Sequence, residues 1–273
     1  MIIVGLLLTL ATTLVIVAAS QMASSLLEEK ESKLALARSA KAIELRQYLT
    51  AIEEDLLQVT SNPNTRDALT SFATAWQELG SDQTTVLQEL YITGNPNPTG
   101  EKDKLYQAAD NSSYSVAHAQ FHPWFHKLQQ QHEYYDVFLF NMDGDLVYTV
   151  FKELDYATNL ETGKWRDSGL GDAFRSGRNG KVGEFSFIDF APYAPSYDAP
   201  ASFIATPIPG ANGEQIGVLA YQMPIGRINN IMQEKTGMGK TGETYLIGQD
   251  YLMRSDSRFS KTSTILSTKV TSE

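Results

Sequence analysis

Residues 134–149 read YYDVFLFNMDGDLVYT, and this stretch decides the fold class. Val137 to Asn141 is a short apolar run, Asp143-Gly144 is a turn dipeptide, and Leu146 to Val150 is a second apolar run. Apolar runs of this length, separated by Asp-Gly, favour a β-hairpin. The residues before this hairpin follow a helical period, so the hairpin marks the change from helices to a sheet.

Further strand patterns follow the hairpin. Asn212-Gly213 is a second hairpin turn between two of them, and a short helix is predicted over Gly226–Lys235. Thr244–Arg254 then begins another hairpin across Gly248-Gln249-Asp250. The three additional strands are Phe185 to Phe190, Phe203 to Ile208 and Gln215 to Gln222. The pattern predicts an α+β fold with an antiparallel five-strand module and the start of a second one.

The first apolar segment is long enough to cross a membrane. Ile2 to Ala19 carries no charged side chain, and a helix of that length spans about 27 Å. A cleaved signal peptide and an uncleaved anchor are both consistent with its composition. We favour the anchor, because no basic n-region precedes the segment and a helical pattern follows it directly. Since no Lys or Arg precedes the span, charge alone does not decide its orientation.

A long helix is predicted over Gln21–Thr60, which contains neither Pro nor Gly. An a/d-type seam runs along its second half, and Arg38 and Glu31 interrupt the register upstream. This seam is either a core face within the domain, which we favour, or a dimer seam. Its residues are Ala42, Leu45, Leu49, Ile52, Leu56 and Val59. Further helices are predicted over Thr65–Leu79, Ser81–Tyr91 and Tyr114–His132, the last kinked or restarted at Pro123.

Composition narrows the function classes. The chain has 22 basic and 32 acidic residues, a net charge of -10, which opposes binding to nucleic acid. It has no cysteine, so thiol catalysis, cysteine-bound zinc and disulfides are excluded. A hydrophobic fraction of 42% is sufficient for a folded core.

Several segments together resemble the double-Cache (PAS-like) sensor domains of bacterial transmembrane receptors, most closely those of methyl-accepting chemotaxis receptors. The segments are Tyr134–Phe140, Asp143–Tyr148, Lys152-Glu153, Asp189–Tyr193, Gly237–Leu246 and Leu252–Phe259. The resemblance implies four regions. They are a transmembrane helix (1–20), a helical stalk and bundle (21–133), a membrane-distal Cache module (134–235) and an incomplete membrane-proximal module (236–273).

By the same resemblance, the chain is the extracytoplasmic ligand-sensing region of a signal-transduction receptor, and not an enzyme. It would bind a small molecule such as an amino acid, organic acid or amine, and form a homodimer. It would lie in the bacterial inner membrane with its remainder in the periplasm, and act on cytoplasmic signalling partners through a missing C-terminal part. The alternatives are a membrane-tethered solute-binding protein, or the sensor region of a histidine kinase or nucleotide cyclase.

The expected ligand site combines aromatic walls with charges of both signs, which a small polar ligand needs. Arg166 could clamp a carboxylate, and an Asp could accept from an ammonium group. Amino-acid-binding members carry Arg-x-Trp-Tyr at this point, whereas no Trp-Tyr pair follows Arg166, so this sequence departs from the amino-acid pattern. The candidate residues are Trp165, Arg166, Asp167, Phe187, Asp189, Tyr193 and Tyr197.

Other motifs predict no cofactor and no metal. His118, His122 and His126 have the spacing of one helix face, but Pro123 lies among them, and we interpret them as surface or packing residues. Met238–Thr241 resembles the end of a phosphate-binding loop, yet Glu234 stands where that loop requires Gly. No nucleophile-elbow sequence is present, so nothing in the sequence favours catalysis.

Overall fold

The computed structural model describes residues 2–271, so Met1, Ser272 and Glu273 lie outside the described residues. The first helix, α1, is unbroken from Ile2 to Ser61. Its apolar first third is fully exposed and has the length and composition of a membrane span. Ile52, Leu56 and Val59 near its end are buried in the core, which confirms the core-face interpretation for that half of the seam.

Three helices complete a layer beside α1. They are α2 (Pro63–Glu78), α3 (Gln83–Gln88), which continues into a π-helical turn at Glu89–Thr93, and α4 (Ser113–His132). Asn62 caps α2, and its side chain accepts a hydrogen bond from the Asn64 N–H at 2.9 Å. A short 3₁₀ turn at Lys102–Lys104 precedes α4, which passes Pro123 as one helix.

The sheet is antiparallel and has five strands. The strands are β1 (Asp136–Asn141), β2 (Leu146–Thr149), β3 (Ser186–Tyr193), β4 (Ala199–Pro209) and β5 (Gln215–Gln222). Their order in the sheet is β2-β1-β5-β4-β3. The expected fold class, α+β with an antiparallel five-strand PAS-like module, is confirmed.

Each face of the sheet has its own core, as the side-chain alternation of a strand requires. Val137 and Leu139 of β1 face α1, α2 and α4. Phe138 and Phe140 face the opposite side, where they pack with α5 (Gly169–Asn179). The sheet therefore separates a helical face, reached by α1, from a second face covered by α5.

Helix α5 was not predicted, because three glycines within it lower its helix propensity. Gly177 has a packing reason to be there. A Cβ at Gly177 would lie 2.6 Å from Cγ1 of Val218 on β5, so any side chain would hold α5 away from the sheet. The close approach of α5 to the sheet explains why this helix contains a glycine at position 177, although glycine lowers its helix propensity.

Helix α6 (Ile225–Gln233) leads from β5 into the C-terminal segment, residues 234–271. The expected hairpin there is an isolated bridge between Ile247 and Met253, and a second bridge joins Leu252 to Lys269. Ile228 and Ile231 of α6 share a small core with Phe190 of β3 and Ile265. The division of the chain into four regions stays a prediction.

Candidate functional site

A buried acid lies on the α5 face of the sheet. Asp155 follows β2 in the chain and is only 1% exposed. The hydroxyl of Tyr193, at the end of β3, donates to its Oδ2 at 2.5 Å. Its other oxygen, Oδ1, has no hydrogen-bond partner among the described residues. Burial raises the pKa of Asp155 to about 7, and the Tyr193 hydrogen bond opposes that rise.

A second buried acid begins β1 on the same face. Oδ1 of Asp136 accepts from the backbone N–H groups of Val137, Val150 and Phe151 at 2.7, 2.9 and 3.0 Å, and the Thr149 hydroxyl donates to Oδ2. Burial raises its pKa, while these hydrogen bonds lower it. Both carboxylate oxygens are occupied, so Asp136 holds the chain reversal after β2.

Gln222 ends β5 and is the register partner of both Asp136 on β1 and Phe203 on β4. Its side chain is 3% exposed, and its Oε1 has no hydrogen-bond partner among residues 2–271. Gln222 also borders a cleft of about 410 Å³ between the strand ends and α6. Asp155, Tyr193, Asp136 and Gln222 form what we call the polar cluster.

A third carboxylate adjoins the polar cluster. Glu153 accepts hydrogen bonds from the Tyr135 hydroxyl at 2.8 Å and from the Ser196 hydroxyl. Burial raises the pKa of Glu153, and both hydroxyl groups lower it. Tyr135 borders the same cleft as Gln222, so this hydrogen bond lies between the cleft and the loop that carries Asp155.

Lys152 is the buried cation nearest these acids, and its ammonium group is occupied. Nζ donates to the carbonyl oxygens of Thr149 and Val150 at 3.1 and 2.9 Å. It lies 5.9 Å and 5.5 Å from the ring centroids of Tyr91 and Tyr148. Burial lowers the pKa of Lys152, and the Asp136 carboxylate opposes that shift.

Of the predicted site residues, two lie on the face of the polar cluster. Tyr193 is in it, and Trp165 is half-buried against the same core, with its Nε1 donating to the Leu154 carbonyl at 3.1 Å. Arg166 and Asp167 are exposed and pair with each other at 3.3 Å. They do not join the polar cluster.

The remaining predicted residues lie elsewhere. Phe187 and Asp189 border a cleft of about 680 Å³ between β3, α1 and the C-terminal segment. Arg254 binds Asp189 there, with Nε 3.1 Å from Oδ1 and Nη2 2.9 Å from Oδ2. Tyr197 is 74% exposed, beyond a 3₁₀ turn at Ala194–Ser196.

A β-bulge in β3 explains why Tyr193 lies on a different face of the sheet from Phe187 and Asp189. A period of two places Phe187, Asp189 and Tyr193 on one face of β3, but the register shifts between Ile188 and Ala191. Tyr193 therefore faces α5, whereas Phe187 and Asp189 face the other way. Sequence reasoning also missed Asp155 and Gln222. For Gln222 the available signal was a polar residue at the end of an apolar run, whereas Asp155 follows Lys152-Glu153-Leu154 and carries no such signal.

The three helical histidines are buried packing residues. The rings of His118, His122 and His126 stack at centroid distances of 4.4 and 5.3 Å. His122 Nδ1 lies 2.7 Å from the Tyr148 hydroxyl, and His126 Nε2 lies 2.8 Å from Oδ2 of Asp103. Burial holds the pKa values of His118 and His122 well below their usual range. Residues 2–271 contain no cluster of His, Asp and Glu arranged for a metal ion.

Another large cavity lies away from the polar cluster. It has a volume of about 660 Å³ and lies between α1, α6 and the C-terminal segment. Its wall is largely apolar, with Leu34, Leu45 and Met238 among its residues. Specific recognition of a small polar molecule needs convergent polar groups, so the polar cluster is the better candidate.

No protein-family model and no curated protein matches the chain. Solved structures of sensor and ligand-binding domains are similar to it at low sequence identity. The V. cholerae histidine kinase DctB sensor domain is 15% identical, with a TM-score of 0.35, over 61% of this chain and 60% of that one. The match thus spans less than two thirds of that domain.

Two chemoreceptor domains are similar to a comparable degree. The ligand-binding domain of Pseudomonas fluorescens chemoreceptor CtaA, in complex with L-serine, is 15% identical, with a TM-score of 0.36, over 71% of both chains. That of Campylobacter jejuni chemoreceptor Tlp3, in complex with 4-methylisoleucine, is 13% identical, with a TM-score of 0.38, over 74% of this chain and 70% of that one.

Proposed function

We propose that the chain is the extracytoplasmic ligand-sensing region of a transmembrane signal-transduction receptor of the chemotaxis-transducer type. One observation carries the proposal. Helix α1 runs unbroken from a membrane-length apolar segment to the helical face of the sheet, and the polar cluster lies on the opposite face of that sheet. A ligand at the polar cluster and a displacement of α1 are thereby linked through one layer of strands.

The signal is a shift between two packings of α1. Helix α1 packs against the sheet through Ile52, Leu56 and Val59. A change in the positions of the strands therefore changes the surface against which α1 packs. A ligand biases this equilibrium only by as much as it prefers one packing over the other. The ligand itself is bound and released unchanged, so the proposed role requires no catalysis.

The exposed apolar residues of α1 support membrane insertion and pairing with a second copy. The apolar first third anchors the chain in the bacterial inner membrane, with the sheet in the periplasm. Leu34, Leu36 and Ile43 remain 55%, 72% and 58% exposed along the membrane-proximal part of α1. A homodimer would cover them, and cytoplasmic partners would receive the displacement. The competing function is a tethered solute-binding protein, in which α1 is a passive spacer.

The test is a thermal-shift screen of the full chain in detergent micelles against amino acids, organic acids, amines and purines. A ligand that binds only the folded state raises the unfolding midpoint as its concentration increases. We expect a stabilising compound whose effect is lost in Tyr193→Phe. Tyr251→Phe is the matched control, because Tyr251 is an exposed tyrosine in the C-terminal segment. A folded protein that no compound stabilises would contradict direct sensing.

A further inference from the structure

Two buried acceptor atoms in the polar cluster have no donor among residues 2–271. They are Oδ1 of Asp155 and Oε1 of Gln222, in side chains that are 1% and 3% exposed. The other carboxylates nearby have donors, since both oxygens of Asp136 and both of Glu153 accept hydrogen bonds. Leaving a buried acceptor unpaired is unfavourable, because the atom has given up its hydrogen bonds to water. A molecule that completes this site must therefore supply N–H or O–H donors.

The titratable side chains of the site are acids. Ionised Asp155 raises the pKa of Asp136, and ionised Glu153 raises the pKa of Asp155, so the three carboxyl groups lie close together. The ammonium of Lys152 is held by two backbone carbonyls on the side of Tyr91 and Tyr148. Within the described part of the chain, no Lys or Arg forms an ion pair with Asp155. A ligand carboxylate placed beside Asp155 would thus meet other acids rather than a paired Lys or Arg.

The approach to the polar cluster has room for a small molecule. The cleft of about 410 Å³ is bordered by Gln222 and Tyr135, and Glu133 stands at its rim. Pockets of this size hold small organic ligands. Arg227 of α6 also borders the cleft, and its guanidinium lies 5.9 Å from the ring centroid of Tyr48 on α1.

We propose that the polar cluster binds a protonated primary amine without an α-carboxylate, whose N–H groups donate to Asp155 Oδ1 and Gln222 Oε1. This inference rests on the proposed sensing function and names the chemical class of its ligand. Ammonium N–H groups match both unpaired acceptors, and their charge pairs with the ionised form of Asp155. A quaternary ammonium carries the same charge but has no N–H, so it cannot satisfy either atom.

Four probes separate the effect of N–H donors from that of positive charge. Butylamine and 1,4-diaminobutane have the donors. Butyltrimethylammonium keeps the charge and loses the donors, and norvaline adds an α-carboxylate to butylamine. We expect the two amines to bind the full chain in detergent micelles, measured by isothermal titration calorimetry. We expect the other two probes to bind at least about tenfold more weakly, since tenfold corresponds to one lost charged hydrogen bond.

Variants locate the binding. Asp155→Asn replaces a charged acceptor with a neutral one, and Gln222→Leu removes an acceptor, so each should weaken amine binding by about tenfold. Asp143→Asn is the matched control, because Asp143 is an exposed acid in the β1–β2 turn. Retained folding of each variant is checked by its circular dichroism spectrum. A variant that does not fold is replaced by Asp155→Glu, whose longer carboxylate misplaces the acceptor and should also weaken amine binding.

Two results would overturn the amine assignment without touching the proposed function. Tighter binding of norvaline than of butylamine would show a carboxylate clamp that the geometry does not provide. Stabilisation by an organic acid or purine, with neither amine bound, would assign the site to another class. Failure of the whole library is a different result, because it contradicts sensing itself.

Discussion

Asp155 titrates in an unusual range, and the sign of its effect on stability follows from that. Its pKa is about 7 in the folded protein because the carboxyl is buried, against about 3.9 in an unfolded chain. Between these values the folded state holds a proton that the unfolded state has released. Asp155 therefore lowers the free energy of unfolding as pH rises from about 4 to about 7.

The isosteric change Asp155→Asn removes this titration. Relative to the variant, the wild-type protein should lose about 1.4 kcal/mol of unfolding free energy per pH unit across that window. Urea unfolding of both proteins at pH 5, 6 and 7 measures the difference. Parallel pH dependences of the two proteins would show that Asp155 is not protonated in the folded state.

Amine binding should depend on pH through the same carboxyl group. An ammonium ion pairs with the ionised form, so binding should strengthen by about tenfold per pH unit up to about pH 7 and then level off. Calorimetric titration of 1,4-diaminobutane at pH 5.5, 6.5 and 7.5 checks this. The Asp155→Asn protein, which cannot ionise at this position, should give a flat profile. An equally flat wild-type profile would exclude Asp155 as the partner.

The approach of α5 to the sheet depends on a residue without a side chain. Gly177→Ala places a Cβ 2.6 Å from Val218, and such overpacking costs about 1–3 kcal/mol. Gly226→Ala in α6 meets nothing within 4 Å and should be neutral or slightly stabilising. Thermal unfolding midpoints of the two variants compare them directly. Equal midpoints would mean that α5 lies far enough from β5 to accept a methyl group.

At the scale of elements, β3 joins the polar cluster to the C-terminal segment. Tyr193 holds Asp155 on one face of β3, and Asp189, four residues earlier, holds Arg254 on the other. The Arg254 side chain is 7% exposed, whereas that of Asp189 is 53% exposed. Solvent screening at Asp189 reduces the strength of the pair, although the geometry is bidentate.

Arg254→Ala should destabilise the attachment of the C-terminal segment by about 1–2 kcal/mol, the range for a partly screened charged hydrogen-bond pair. Faster hydrogen exchange at Leu246 and Met253, with β1 unchanged, is the expected result. Arg166→Ala is the control, because Arg166 is in an exposed pair with Asp167. This variant should change hydrogen exchange neither in the C-terminal segment nor in β1. Unchanged exchange in the Arg254 variant would show that the apolar core around Ile228 suffices.

The strands and long helices could be predicted from sequence because each has a repeating pattern. The predicted β5, Gln215–Gln222, matches the structure at both ends. Helix α5 could not be predicted, since Gly177 within it reflects the short distance to Val218, which is a tertiary constraint. For the site, the predicted residues Trp165 and Tyr193 lie on one face of the sheet. Asp189 was separated from them by a one-residue bulge, which no alternation pattern reveals.

At the scale of the whole molecule, the sheet lies between helix α1 on one face and the polar cluster on the other. On its helical face, α1 carries the core residues Ile52 and Leu56 directly from the apolar N-terminal segment. On its α5 face, the polar cluster offers buried acceptors to a small cation. In the proposed receptor, a ligand on one side would change the packing of a membrane-connected helix on the other.

Hydrogen–deuterium exchange of the full chain in lipid nanodiscs, with and without a stabilising ligand, tests this account most directly. We predict slower exchange in residues 151–168, at the end of β3 and at the end of β5, together with a changed rate in α1 near Ile52. Slower exchange confined to residues 34–53 and 238–246, around the apolar cavity, would contradict the account by placing the ligand on the wrong side of the sheet.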